Sequence, residues 1–427
     1  MINRPLSMER LCGLAVAAAI LGLAVSGDGI VAQQESAEDD SGSWSLSGYG
    51  AVNYFAFDWD TDPERRSAMD VERLVLYPSY DFGNGIRLDA EIEFEHGGTG
   101  VTKEFDKFEE FGEFETEVEA GGEVLLEQIN VRIDLEPWFN VRVGRFKVPF
   151  GVASVHDEPR EYFRTTRSET EVNLVPTNWY ENGIQLFGSL GATERWAYTL
   201  SVVNGLDATG FSSASWIVRG HQTRFETVNA ENLAVAGRLE YRLVPGVEVG
   251  LDGYRGNTTD NRPKPDLAVD APVTVGSVHA TLERGPWTVR ALGLYGTLEN
   301  ADDVSRANRN LSNNLNVKRT PVGSAASGFY AEAGFDLLSL TDASDQRLDL
   351  FGRIERYDSM AEVEGDVFDN PRWQRTAYTV GLNYHLIRQV TFKAEFSHRE
   401  LGTAEVEKTF SMGLGFEFGF EGESDGG

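Results

Sequence analysis

Cysteine is almost missing from this 427-residue chain: Cys12 is the only one. It lies in a leader segment ahead of an apolar run, so the processed protein is expected to hold neither a disulfide nor a thiolate metal site, although export would permit disulfides. Basic residues are scarce as well, 38 Lys and Arg against 68 Asp and Glu, a net charge of -30. Such a chain has no basic surface for nucleic acid. The six histidines (His96, His156, His221, His279, His385 and His398) show no H-x-x-x-H grouping, which removes local support for a zinc site. Asp58, Asp60 and Asp62 suggest a calcium loop, but Pro63 stands where an EF-hand needs glycine and Met69 where it needs glutamate. Metal and cofactor are therefore both read as none.

Long apolar runs are also lacking. Beyond the leader no stretch nears the roughly 18 apolar residues of a membrane helix, and the mean hydropathy is -0.32. Either the protein is soluble or it crosses a membrane as strands, in which only every second residue need face lipid. Proline is sparse at 14 residues while glycine reaches 45, the profile of a β-rich chain with tight turns.

What is present begins with a signal peptide over residues 1–32, with Arg4 and Arg10 before the apolar Leu11 to Val25. A polar leader, 33–43, follows, then a β-barrel over 44–420 and a short acidic tail, 421–427. Period-two segments repeat through the barrel region. In Ile86 to Glu95 the apolar Ile86, Leu88, Ala90, Ile92 and Phe94 alternate with Arg87, Asp89, Glu91, Glu93 and Glu95. The last segment puts Phe410, Met412, Leu414, Phe416, Phe418 and Phe420 on one face. About sixteen such segments are joined alternately by short and long connections, the habit of outer-membrane barrels. Trp44, Trp138, Trp196 and Trp287 fall at the chain start or just after short turns, and Trp59, Trp179 and Trp373 where long loops meet strands; interfacial girdles would collect them there.

The fold expected is an all-β, transmembrane, antiparallel barrel of about sixteen strands in the outer membrane of a Gram-negative-type bacterium. Arg87, Asp89, Glu91, Glu93, Arg132, Arg142, Arg238, Glu240, Arg242, Lys393 and Glu395 take the lumen-facing parity. In the third loop Arg160, Arg164 and Arg167 are spaced to share one face of a short helix opened by Asp157 and Pro159. With Arg145 and Lys147 just before the loop, they are the candidate constriction. Their alternative role is to pair with acidic residues and pin the loop. Lys103 to Glu119 carries Phe105, Phe108, Phe111 and Phe114 every third residue, as in an amphipathic helical cover or an acidic loop with an aromatic cluster. Catalysis is not expected: His279 with Ser277 is the only suggestive pair.

Four stretches, Gly144 to Gly151, Gly328 to Gly334, Arg353 to Asp358, and Gly381 to Tyr384 leading into Val390 to Ser397, resemble the phosphate-selective porin O and P family. The resemblance implies a sixteen-stranded homotrimer whose third long loop is folded into the lumen as a constriction, and which passes anions such as phosphate along channel lysines and arginines. The residues themselves, mixed in sign, point to passive diffusion of ions and small hydrophilic solutes. Outer-membrane lipid and lipopolysaccharide are the expected surroundings. The competing reading is a structural or surface-interaction barrel whose pore is closed by loops.

Overall fold

The computed structural model describes residues 42–97, 102–106, 115–119, 123–176, 178–222, 227–311, 319–341 and 346–423. The expected signal peptide and nearly all of the polar leader lie outside them. Sixteen strands form one closed antiparallel barrel. They are β1 (Ser43–Trp59), β2 (Ala68–Gly83), β3 (Ile86–Glu95), β6 (Glu123–Glu136), β7 (Phe139–Lys147), β8 (Tyr180–Leu190), β9 (Trp196–Asn204), β10 (Leu233–Val244), β11 (Val247–Asn257), β12 (Pro272–Arg284), β13 (Trp287–Leu298), β14 (Ala325–Asp336), β15 (Arg347–Glu362), β16 (Gln374–Ile387), β17 (Val390–Leu401) and β18 (Val406–Glu423). Between β3 and β6, β4 (Thr102–Asp106) and β5 (Glu115–Glu119) pair as a separate two-stranded sheet. The first and last strands close the barrel, in register from Ser43 opposite Glu423 to Trp59 opposite Glu407. The closing strand thus runs past residue 420, into the stretch expected as tail.

Turn chemistry sets the register at one rim. Asn84 and Gly85, both at positive φ (54° and 74°), link β2 to β3 as a two-residue turn whose twist matches the strands. Pro245 and Gly246 (φ 78°) link β10 to β11; proline fixes the first turn position and glycine takes the left-handed second.

Side chains sort as the alternation predicts. Phe392 and Phe396 on β17 are 46% and 45% exposed, and Leu251 on β11 is 57% exposed, while Lys393, Glu395 and Asp252 beside them are buried. A water-soluble sheet would bury the first set; here they form the outer wall. Trp44, Trp138, Trp196 and Trp287 are exposed at the short-turn rim. The second girdle is not formed by the tryptophans expected there. Trp179 and Trp373 are buried, and Trp59 meets Arg399, a side chain bonded to the inward loop residue Glu169. Position beside a long loop does not settle which wall face an indole takes.

The inner face is not polar throughout. On β12 to β14 the inward Val273, Val275, Leu292, Leu294 and Tyr330 are buried in one apolar cluster with Leu206, Phe211, Trp216 and Ile217 from the connections. Trp216 lies where a Cβ on Gly296 would come within 2.3 Å of its ring, so glycine is needed for this approach. The described parts of the Lys103 to Glu119 stretch are the paired strands β4 and β5; Phe108, Phe111 and Phe114 lie outside the described residues.

An arginine on the outer face, as in Phe396→Arg, should destabilise the barrel in vesicles by up to about 2–4 kcal/mol. Arg87→Gln, on the inner face and paired with Asp89, should change stability by less than about 1 kcal/mol. Urea unfolding of the refolded barrel measures both.

Candidate functional site

The connection from β7 to β8 makes its polar contacts with inward residues of many strands. Residues 148–168 run as turns and bends, followed by the one-turn helix α1 (Glu169–Val172), whose Ser168 side chain accepts from the Glu171 N–H. The helix expected to align Arg160, Arg164 and Arg167 is absent, because each arginine is drawn to a different partner. The Arg160 Nε lies 3.3 Å from Glu417, with the guanidinium also donating to the Arg388 carbonyl near the short-turn rim. Arg164 is buried among three carboxylates, Glu169 and Glu355 at 3.1 Å each and Glu395 at 3.4 Å. Arg167 meets Asp157 at 2.7 Å and donates to Asn178.

Two nodes anchor this segment. Asp157 is buried beside Arg73 and Lys147, each at 3.3 Å, Arg167, and the Tyr49 hydroxyl at 3.0 Å. Burial alone would raise its pKa, but Lys147, Arg73 and the Tyr49 hydroxyl outweigh that and hold it below the usual 3.8. In the second node Glu355 accepts from the Ser168 hydroxyl (3.0 Å) and the Thr170 N–H (3.1 Å), while Glu395 accepts from the Thr165 N–H (3.0 Å). Lys393 donates to the carbonyls of Tyr162 and Arg164, both at 2.7 Å. Burial would also raise Glu169, but Arg399 and Arg164 hold it well below 4.5.

A third contact works the other way. Gly151 (φ 77°) donates its N–H to Asp252 at 2.9 Å, and Glu171 accepts from the Ala153 N–H at 3.0 Å. Burial pushes Glu171 up to about 7 against the opposing pull of that N–H and of Arg353. Between this segment and the β13–β15 wall remains a cavity of about 10 Å³, lined by His156, Tyr162, Arg290, Arg353 and others, the scale of one water.

The remaining expected lumen residues are nearly all paired. Arg87 meets Asp89 at 2.9 Å, Arg132 meets Asp134 at 2.7 Å, and Arg242 meets Glu248 at 2.9 Å. Arg238 binds Asp252 at 2.6 Å with Glu240 at 3.8 Å. Arg142 donates to Gln185, and Glu91 accepts from the Tyr180 hydroxyl. Glu93 lies 3.6 Å from Arg73, and Arg145 donates to the Glu127 carbonyl. Arg73, Arg290, Glu332, Arg353, Glu355 and Arg399 were missed as members of this network. Strand parity marks Arg353 and Glu355 as same-face neighbours, but nothing local says that a distant loop supplies their partners. Ser277 donates to Asp252 at 2.7 Å rather than to His279, whose Nδ1 is 3.3 Å from the same carboxylate.

A closed sixteen-strand barrel, apolar outside and lined with charge within, is an outer-membrane β-barrel of the porin type. Residues 63–420 match the family described as "Putative beta-barrel porin-2, OmpL-like". The chain belongs to that family, and it is an outer-membrane porin. This agrees with the resemblance at the level of porins, although the family matched is not the phosphate-selective O and P porins. A protein of Aquifex aeolicus (strain VF5), called only "Uncharacterized protein", is 28% identical over 360 residues, 82% of this chain and 74% of its own. Among solved structures, the loop L8 deletion mutant of OmpT from Vibrio cholerae (9% identical, TM-score 0.52) covers 89% of this chain and 100% of its own. OmpF of Salmonella typhi, in complex with daunomycin (10%, 0.52), covers 90% and 100%. The DcaP channel of Acinetobacter baumannii (10%, 0.50) covers 90% and 99%. At such identities the likeness is one of fold.

Linkage gives the anchors opposite pH signs. Asp157 and Glu169, held low, contribute stability above their ordinary values of 3.8 and 4.5 and lose it as pH falls through their native pKa values. Glu171, held high, contributes fully below 4.5 and loses its contribution as pH rises through about 7. Hydrogen-exchange protection of residues 148–176 should therefore peak near about pH 4–5 and decline on both sides. Glu171→Gln should abolish the alkaline decline alone.

Proposed function

We propose that the barrel is a narrow, weakly selective diffusion channel whose constriction is the segment 148–176, folded into the lumen and held by the Asp157 and Arg164 nodes. The observation that carries this reading is the contact of that segment with inward residues from β1, β2, β11, β15 and β17. A bore narrowed this way passes small hydrophilic solutes down their gradient. Most lumen arginines have a carboxylate within 4 Å, so the field along the path largely cancels. Strong phosphate selectivity would need unneutralised cations. Of the three loop arginines, Arg160 is the half-exposed one and faces permeant ions most directly; Arg164 and Arg167 act as pins. Transport rather than catalysis is supported by Ser277, whose hydroxyl donates to a carboxylate and not to an imidazole.

A second reading, a barrel closed by its own loops, is favoured by the apolar cluster over β12 to β14 and by the burial of Glu355, Arg353 and Glu395. Planar-bilayer recording separates the two. The channel reading expects stepwise conductance with a cation-to-anion permeability ratio within about threefold of unity; silence of the refolded barrel would support closure. Arg160→Gln should shift the reversal potential toward cations. Arg164→Gln leaves Glu169, Glu355 and Glu395 without their shared cation, a loss on the order of 3–5 kcal/mol for such a buried network, and should raise conductance and its noise.

A further inference from the structure

Most of the inner wall is charged, small, or sealed under loops, but the long-loop end of β1 is not. Tyr49, Ala51, Asn53, Phe55, Phe57 and Trp59 occupy successive inward positions of this strand. The deepest are covered: the Tyr49 hydroxyl donates to Asp157, and the Asn53 amide donates to the Thr165 carbonyl of the anchored segment. Above them Phe55, Phe57 and Trp59 are only half-buried. Their rings form a ladder, Phe55 to Phe57 at 6.0 Å and nearly parallel, Phe57 to Trp59 at 5.2 Å edge to face. The flanking inward positions do not cover them. Ala68 lies opposite Phe55 on β2, and Ser411 and Thr409 lie opposite Phe55 and Phe57 on β18.

Three aromatic rings facing a watery mouth have no lipid to meet, and their exposed apolar area is unfavourable unless something covers it. The cover in this state is Arg65, whose guanidinium carbon lies 4.6 Å from the Phe57 ring centre and 4.3 Å from that of Trp59. The indole is itself fixed, donating Nε1–H to Thr409 at 3.0 Å. Hydrogen-bonding groups of both kinds lie at the two ends of the ladder: below Phe55 the carboxylates of Asp70, opposite Asn53, and of Glu72, which accepts from the Asn53 amide, and at the mouth Glu407, opposite Trp59, with the Arg399 guanidinium over the indole.

We propose that Phe55, Phe57 and Trp59 form a stacking rail for the pyranose rings of neutral carbohydrate solutes, leading from the mouth to the constriction at Asn53 and Thr165. This rests on the channel reading for passage, though not for binding. A pyranose offers a flat C–H face to the negative face of an aromatic ring and a rim of hydroxyls that both donate and accept. The rail offers both complements. Charge of both signs lies beside the rings, so a solute of either sign meets its like charge as well as its opposite, whereas a neutral polyhydroxylated ring can donate to the carboxylates and accept from the guanidiniums at once; that is the class that fits.

The test uses the full refolded barrel with cellotetraose as probe, sorbitol as an acyclic polyol, and benzoate and tetraethylammonium as charged rivals. Titration calorimetry reads binding, and bilayer current reads block. Cellotetraose should bind saturably and interrupt the current, sorbitol should do neither, and Phe55→Ala/Phe57→Ala should weaken cellotetraose binding about tenfold, as expected of two lost stacking contacts of a few-fold each. Phe55→Tyr/Phe57→Tyr should restore it, which separates stacking from a folding defect. Absence of cellotetraose binding, equal binding of sorbitol, preference for either charged rival, or binding unchanged in the alanine variant would overturn the proposal. A barrel that binds cellotetraose through these rings yet carries no current would sink the channel reading and leave the rail standing.

Discussion

In hydrocarbon no water is available to satisfy backbone N–H and C=O groups, so a sheet that crosses a membrane has to close on itself. The seam from Ser43–Glu423 to Trp59–Glu407 does this, and everything else in the structure follows from having an inside and an outside. Once the seam is shut, each strand must send one parity of side chains to lipid and the other to the interior. The apolar parity of β11 and β17 accordingly faces out. The charged parity faces in, where it has to find partners, because an unpaired charge there is costly.

The interior answers that demand largely with itself. Arg238 binds Asp252 directly across the β10–β11 ladder, and Arg290, Glu332 and Arg353 chain across β13, β14 and β15. Where the wall leaves carboxylates over, the β7–β8 connection brings the cations and N–H groups: Arg164 and the backbone of Thr165 and Thr170 serve Glu355 and Glu395. Conversely, Asp157 is the segment's own carboxylate, placed among wall cations. Loop and wall are therefore electrostatic complements, and it is this pairing on which the proposal of weak ion selectivity rests.

How much of this was legible depended on how local the determinant is. The alternation in Ile86 to Glu95 and in the last strand reported strand and face directly, because each depends on neighbours a few positions away. The arginine helix failed because carboxylates from β15, β17 and the loop itself compete for Arg164, and no i, i+4 spacing reveals partners 191 and 231 residues off. The apolar interior over β12 to β14 was hidden for a similar reason: Leu292 and Leu294 are covered by Trp216 and Phe211, which come from a connection distant in sequence. Trp59 shows the limit of composition rules, since an indole at the rim fits lipid or lumen equally and only strand parity decides.

The central claim, a wall with lipid on one parity and the protein interior on the other, is tested most directly by spin labels. These would be placed singly along Val390–Leu401, in a chain whose only cysteine, Cys12, is replaced by serine. Collision rates with lipid-soluble oxygen should rise and fall with every second residue, high at Phe392 and Phe396 and low at Lys393 and Glu395. A profile without that two-residue period, or one in which a water-soluble nickel complex reaches Phe392 and Phe396 preferentially, would contradict it.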